Sequence, residues 1–359
     1  MFAKLKQFVA TPNIAIDLGT ANTRIYAAGL GGIAEEPSFI RHIQHNRKTN
    51  GADKYITYLN SRFVSMPLRG GVIVDIRNAV SLLKPLVKRT RRGLRQPVSL
   101  ACAPTDTTEK ERKLLAEAIM RAGASHVAII PEVWAAAIGA GIDVTRPSSQ
   151  VLIDIGEGVT DMAVIRNGCL IFASAVRVAC SDLQKAVRNA VMARYKVCLY
   201  PAEMERLTHE IASFSPAPPA ACRSINAEGL DMVKRREVSI EVQHAEIHSA
   251  LEPVLAKMLK MIESGLRKLP DRVAREIVEP GICLTGGGAC IKGIDRLIGA
   301  KTGLDVRIAA DPLHSVINGA SRFLQYWQGK DLWWENIDWP DFGGQPKSLL
   351  PGGPRFVHC

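Results

Sequence analysis

Two stretches of the chain carry one pattern of apolar and polar positions. IAIDLGTANTRIYAAGLGGI at Ile14 to Ile33 and VLIDIGEGVTDMAVIRNGCL at Val151 to Leu170 each begin as an apolar strand that ends in aspartate. Each then passes through a glycine-bearing turn into a second strand with alternating apolar residues, so each reads as a β-hairpin. A shift of 137 residues, from Asp17 to Asp154, also lays Gly19 on Gly156, Thr23 on Thr160 and Gly31 on Gly168. A chain with this self-similarity is built of two related halves. The second half carries one more such turn, GICLTGGGACIKGIDRLI at Gly281 to Ile298, where an apolar strand meets Gly286, Gly287 and Gly288 and a helix follows.

Between the two copies, strands and helices alternate. Val98 to Ala103 reads as a strand, Thr108 and Glu111 as a capping box opening a helix to about Gly123, and His126 to Ile130 as another strand. Pro131 starts a short helix, PEVWAAAIGAG, whose alanine-rich face suits close packing on a sheet. The longest apolar stretch, Val127 to Ile142, is broken by Pro131 and Glu132 and falls short of the ~18 residues of a membrane span. Ser213 to Arg223, with Pro216, Pro218 and Pro219, reads as a loop.

Composition narrows the class. At about 150 residues per domain, 359 residues suggest two domains, and 47% hydrophobic with 23% charged residues is globular usage. Lys and Arg number 46 against 35 Asp and Glu, a net charge of +11 that favours phosphate ligands, acidic lipid or nucleic acid. KRTRRGLR at Lys88 to Arg95 and KRR at Lys234 to Arg236 lack interleaved aromatics, so they read as solvated faces and no nucleic-acid partner is expected. The 8 cysteines form no CxxC pair and no secretory signal precedes them, which suits a reducing cytoplasm. Zinc is not expected, because Cys283 and Cys290 lack a second ligand pair.

The chemistry that uses these parts is phosphate binding between two domains. Glycines let several backbone N–H groups converge on one anion, and an acid at each strand end can hold a hydrated magnesium ion beside it. One such turn alone is an ordinary hairpin; the duplication and the third glycine turn make a clamp. Glu132 either complements the N-terminal dipole of its helix or lies near the clamp and positions water.

Together these residues resemble the actin and sugar-kinase ATPase superfamily and, within it, the bacterial actin MreB family. DLGTANTRIY followed by EEPS, PLRGGVIVD at Pro67 to Asp75, ERKLLAEAIMRAGA, PEVWAAAIGAG, DIGEGVTDMAVI, EMERLTHEI at Glu203 to Ile211 and LTGGGA at Leu284 to Ala289 are similar to family segments in family order, over about residues 1 to 325. The resemblance implies an α/β, actin-like ATPase fold of two duplicated RNase H-like domains flanking a nucleotide cleft. Its divisions would be an amphipathic segment at 1–12, domain I at 13–142 with a small insert at about 39–66, domain II at 143–325 with a nucleoside-side subdomain at about 180–250, and a Trp-rich extension at 326–359. It implies ATP (or GTP) with Mg²⁺. Asp17, Gly19, Thr20, Ala21 and Asn22 would form the first phosphate loop, and Asp154, Gly156, Glu157 and Gly158 the second. Glu205, Arg206, Leu207 and Thr208 would lie by the nucleoside, and Gly286, Gly287, Gly288 and Ala289 would form the adenosine loop. Glu132 and Thr160, with Asp154, would serve hydrolysis, and Asp17 and Asp154 would hold the metal through water.

The chain departs from the family at the site itself. Glu157 stands where the family usually has glycine, which brings like charge toward the phosphates. Val159 replaces a threonine and Thr208 a lysine, and Ala179 and Cys180 replace a glycine pair. The stretch from Phe39 to Met66 lacks the family's usual sequence for the small subdomain. These features fit a divergent paralogue.

At the N-terminus, Phe2, Leu5, Phe8 and Val9 share one helical face with Lys4 and Lys6 beside it. The segment is either a frayed start covering a core patch or, as in Gram-negative relatives, an amphipathic membrane anchor. The implied function is an ATP-binding filament under the inner membrane that contributes to rod shape and cell-wall synthesis. Expected partners are itself, the inner-membrane lipid surface, cell-wall elongation proteins and a second MreB. The alternative is a nucleotide-insensitive scaffold that co-assembles with a standard MreB. A kinase or chaperone-type ATPase is weaker, since no substrate domain exceeds the four subdomains.

Overall fold

The computed structural model describes residues 13–28, 30, 32–41, 64–91, 96–211 and 224–326. Its first half contains β1 (Ile14–Leu18), β2 (Asn22–Ala27), β3 (Ile33–Pro37), β4 (Ile40–Arg41), β5 (Val64–Ser65), β6 (Leu68–Arg69), β7 (Val72–Ile73), α1 (Ile76–Arg89), β8 (Val98–Ala103), α2 (Glu109–Ala122), β9 (His126–Pro131) and α3 (Glu132–Gly139). The second half contains β10 (Gln150–Ile155), β11 (Thr160–Arg166), β12 (Cys169–Val176), α4 (Cys180–Tyr195), β13 (Val197–Leu199), α5 (Pro201–Ile211), β14 (Ser224–Asp231), β15 (Arg236–Gln243), α6 (His244–Arg267), α7 (Asp271–Glu276), β16 (Ile282–Thr285), α8 (Ile294–Thr302), β17 (Val306–Ile308) and α9 (Ser315–Tyr326).

The repeat seen in the sequence is a repeat in topology. One five-stranded sheet has the order β3-β2-β1-β8-β9 and the other β12-β11-β10-β16-β17, so β1 and β10 hold the same central place. Each central strand pairs antiparallel with the strand that follows it and parallel with a later one. Both are buried from end to end, which explains their unbroken apolar runs. The capping box is present: the Thr108 side chain accepts from Glu111 N–H while the Glu111 carboxylate accepts from Thr108 N–H at 2.8 Å.

The two-residue period of a strand sorts the core into layers. Ile14 and Ile16 point outward to meet Leu83 and Leu86 of α1 and Ile119 of α2. Ala15, on the opposite face, joins Leu152 of β10 in a central layer filled by α3 and α9. Ile153 and Ile155 of β10 face the outer layer built with α4, α6 and α8. The order is therefore helices, sheet, helices, sheet, helices. Asp17 has the parity of Ala15 and Asp154 that of Leu152, so the aspartates that end the two strands are on the faces that look toward each other.

The N-terminal residues Phe2, Leu5, Phe8 and Val9, residues 42–63 of the small insert, residues 92–95 of the basic run, the Ser213 to Arg223 stretch read as a loop from the sequence, and the extension from Trp327 onward lie outside the described residues. No described helix is long and apolar enough to cross a membrane.

Candidate functional site

The turn after β1 closes by a Gly19 N–H to Asn22 carbonyl hydrogen bond of 3.1 Å, and the turn after β10 by Gly156 N–H to the Val159 carbonyl at 2.9 Å. These are equivalent bonds in the two copies. A Cβ on Gly19 would stand 2.7 Å from the Asn22 carbonyl, so the first turn needs glycine there. The two turns face each other across a cleft. A Cβ on Gly158 would stand 2.8 Å from both Thr20 Oγ1 and Gly70 Cα, and Thr20 Oγ1 accepts from Gly71 N–H at 2.9 Å. The β6–β7 hairpin, with Gly70 and Gly71 at φ of +56° and +75°, is thus wedged between the turns.

The third glycine turn leaves β16 beside Asp154. Gly286 has φ of +81°, and a Cβ there would overlap the Asp154 carboxylate and the Ile155 carbonyl. Its N–H donates to the Pro312 carbonyl at 3.0 Å, which joins this turn to the segment entering α9. At the start of α4, the N–H groups of Cys180 and Ser181 donate to the carbonyls of Gly156 and Glu157 at 3.2 and 2.9 Å. Orphan donors of a helix N-terminus therefore fix the backbone of the second turn.

The cleft is lined by both turns and by Asp17, Arg24, Glu132, Asp154, Glu157, Glu205, His209 and Gly286, among others. Its floor is acidic, and the carboxyls of Asp17 and Asp154 are buried. Burial pushes Asp154 up to about 8, with Asp161 and Asp17 adding to it, and raises Glu132 well above the usual carboxylate range. Burial also raises Asp17, against the lowering effect of Arg24. The Asp154 Oδ1 atom is buried and has no hydrogen-bond partner among the described residues. Glu157 is pushed up to about 7 by burial and by Glu205, which outweigh the attraction of Lys185. Lys185 itself is 3.1 Å from Asp182.

Polar bonds cross from one half to the other beside the phosphate turns. Asp161 accepts from the Thr105 hydroxyl and from Thr105 N–H at 3.2 Å. Arg177 donates to Asp106 at 2.8 Å and, through two nitrogens, to Glu111 at 3.0 and 3.3 Å.

Of the residues expected at the site, Asp17, Gly19, Thr20, Ala21, Asn22, Glu132, Asp154, Gly156, Glu157, Gly158, Glu205, Gly286 and Gly287 line the cleft. Others are set back from it. Along α5, Glu205 and its i+4 neighbour His209 share the cleft face, which sends the intervening side chains elsewhere. Arg206 binds Glu203, Glu210 and the Asn226 carbonyl, Leu207 is fully buried, and the Thr208 hydroxyl turns back to the Met204 carbonyl at 2.7 Å. The replaced lysine position is thus occupied by a hydroxyl satisfied within its own helix. Gly288 and Ala289 are buried beneath the third turn, and the Thr160 hydroxyl donates to the Val178 carbonyl at 2.8 Å one layer below the cleft. Arg24, Gln184 and His209 line the cleft without having been singled out from the sequence. The spacing of His209 from Glu205 and the strand register of Arg24 opposite Asp17 were the available signals.

The family model for MreB/Mbl protein matches residues 11–331. The chain is 32% identical over 338 residues to the cell shape-determining protein MreB of Escherichia coli K12, covering 89% of this chain and 96% of that one. It is 30% identical over 319 residues to the cell shape-determining protein Mbl of Bacillus subtilis 168, covering 87% and 95%. Among solved structures, MreB5 of Spiroplasma citri bound to AMPPNP matches with a TM-score of 0.76 at 30% identity, over 88% of this chain and 96% of that one. The ADP-bound form of MreB5 matches with a TM-score of 0.77 at 29% identity, over 89% and 97%. A MamK double helical filament matches in fold alone, with a TM-score of 0.69 at 18% identity over 87% and 98%. Two sheets of one topology, three glycine turns around buried aspartates and these matches agree: the fold is actin-like, and the chain belongs to the MreB/Mbl family.

Proposed function

We propose that this chain binds ATP with Mg²⁺ between its two sheets and assembles into filaments that lie against the inner membrane and contribute to rod cell shape and wall synthesis. The observation that carries this reading is the meeting of three glycine turns around Asp17, Glu132 and Asp154. The unpartnered Asp154 Oδ1 makes the site fit a hydrated cation, since a buried carboxylate oxygen without a donor is costly. Asp17 and Asp154 would hold that ion through water. When bound, Mg²⁺ supplies positive charge against the phosphates and against charge developing in transfer.

The chain's own groups do the rest. Backbone N–H groups of the two turns that the turn bonds leave free would meet the phosphates, and Gly158 allows the turns to approach. A Glu132 carboxyl with raised proton affinity can both donate and accept a hydrogen bond, which suits orienting an attacking water. Thr160 acts as a positioning residue through the Val178 carbonyl. The solved MreB5 structures with AMPPNP and ADP, and the cell shape-determining relatives, support the reading.

Location in the cytoplasm, peripheral at the inner membrane through Met1 to Val9, belongs to the same proposal, as do partners in wall elongation. One short anchor binds lipid weakly and a filament presents many, so attachment follows assembly by avidity. The test is sedimentation with and without ATP, Mg²⁺ and anionic vesicles. Pelleting above a critical concentration that requires ATP, and vesicle pelleting lost on deleting residues 2–9, are expected. Absence of ATP binding by calorimetry would sink the nucleotide reading.

Glu157 favours a second reading, a nucleotide-insensitive scaffold that co-assembles with a standard MreB. Its carboxyl lines the cleft beside Glu205. ATP binding by Glu157→Gly but not by the natural chain would select it.

A further inference from the structure

The 137-residue repeat lays Arg24 on Asp161, so equivalent places in the two halves carry opposite charge. Arg24 stands directly across from Asp17 in the β1–β2 register and from Glu35 in the β2–β3 register. Three adjacent strands therefore present an acid, a base and an acid in a row. The guanidinium is not shared equally. Its Nη2 is 2.8 Å from Glu35 and its Nη1 3.5 Å from Asp17, while Nε is buried with no acceptor among the described residues. The Arg24 side chain is only 11% exposed, and it lines the cleft with Asp17, Glu132 and Asp154.

The anchor for this arrangement reaches to the far side of the cleft. Glu35 lies 3.3 Å from His314 Nε2, and His314 Nδ1 lies 2.8 Å from Asp311, in the segment that also lines the cleft with Pro312 and Leu313. The tight bond to Glu35 holds the arginine in place, and the loose contact leaves its charge directed at Asp17. A guanidinium is permanently charged and rigid, so it acts on its neighbours at every working pH. Within the cleft, Asp17 is the carboxylate it reaches directly, at 3.5 Å, and Glu132 and Asp154 line the same cleft. Asp154, whose Oδ1 has no donor, is the carboxylate that both this charge and a metal would offset.

We infer that Arg24 is a fixed cation built into the floor of the cleft that shares with the divalent ion the neutralisation of Asp17 and Asp154, so that nucleotide polyphosphate binds here with a reduced requirement for metal. The inference rests on the nucleotide reading of the same cleft and adds to it which group supplies charge when the metal is absent. Two cations that offset the same carboxylates are thermodynamically coupled, and the coupling appears equally whichever is removed.

The experiment measures ATP affinity by calorimetry in Mg²⁺ and in EDTA, for the full chain, Arg24→Leu, Arg24→Lys and Glu35→Gln, with thermal unfolding of each. The ratio of the two dissociation constants is the readout. It is expected to rise about tenfold or more in Arg24→Leu, a coupling of ordinary size, and to stay near the natural value in Arg24→Lys. Glu35→Gln removes the competing acid and is expected to move the ratio the opposite way, by tightening metal-free binding. A packing role would weaken all variants together in both solutions. An unchanged ratio in Arg24→Leu, with ATP still bound in Mg²⁺, overturns the inference alone; if Arg24→Leu does not fold, an unchanged ratio in Glu35→Gln does so. Failure of the natural chain to bind ATP in either solution overturns the nucleotide reading and this inference with it.

Discussion

Gly319 and Ala135 meet so closely that a Cβ on Gly319 would overlap the Ala135 carbonyl oxygen. The contact is reciprocal, since a Cβ on Gly139 would overlap the Ser315 carbonyl. Helices α3 and α9 cross backbone to backbone at this pair, and Arg322 fastens them with a 2.9 Å bond to the Ile138 carbonyl. Because α3 begins at Glu132, the crossing sets where that carboxyl enters the cleft. Glycine to alanine inside a helix ordinarily stabilises. Here Gly319→Ala is expected to destabilise by about 1–3 kcal/mol through overpacking, read as a lower thermal unfolding midpoint. Gly32→Ala, with nothing within 4 Å, serves as the control and leaves the midpoint unchanged.

Arg177 ties the end of the second sheet to Asp106 and to Glu111, the residue that also caps α2. Arg177 is about a third exposed, so each ion pair adds at most ~1 kcal/mol to stability. Its larger effect falls on closure of the cleft, where the bonds exist only when the two halves are together. Arg177→Ala is expected to speed nucleotide release several-fold with a small change in unfolding midpoint. Arg177→Lys falls between, because an ammonium cannot serve two carboxylates in fixed directions. Stopped-flow release rates unchanged in Arg177→Ala would show that the bonds do not govern closure.

The sequence already contained the frame of this site. The repeat implies two related halves, and the two sheets do share one strand order. The capping box at Thr108 was legible because its chemistry is local. The set-back positions of Arg206, Leu207 and Thr208 were not, because motif similarity transfers a whole segment while a helix turns only some of its residues to the cleft. Arg24 carries no such signal for a related reason: its role comes from register with Asp17 and Glu35 and from the bond of Glu35 to His314, 279 residues further along the chain. Long-range polar pairing of this kind leaves no periodic trace.

Gly158 of the second phosphate turn lies close against Thr20 of the first and against Gly70 of the β6–β7 hairpin. The neighbours there are backbone and a hydroxyl that already accepts from Gly71, so neither yields easily. Gly158→Ala is expected to part the turns, leaving the sheets folded while weakening ATP binding at least tenfold, since polyphosphate recognition depends on sub-ångström placement of the turns. Calorimetry with ATP, alongside an unfolding midpoint near that of the natural chain, checks both halves of this expectation.

Glu157 gives the cleft a pH dependence whose sign can be worked out. Its carboxyl is raised from 4.5 to about 7 in the folded chain, by burial first and by Glu205 second. The unfolded chain loses this proton near pH 4.5 and the folded chain near 7, so the Glu157 contribution to stability declines across that window and is level above it. Nucleotide binding follows the same proton. Below pH 7 the carboxyl is neutral and does not oppose phosphate; above it, an anion faces an anion. ATP affinity is therefore expected to fall from pH 6 to pH 8 in the natural chain and to fall less in Glu157→Gln. Ionisation of the nucleotide itself is common to both proteins and cancels in the comparison. Glu205→Gln, by removing the second cause of the shift, is expected to move the midpoint of the natural profile toward lower pH. Calorimetric profiles that coincide for the natural chain and Glu157→Gln would remove Glu157 from the control of binding.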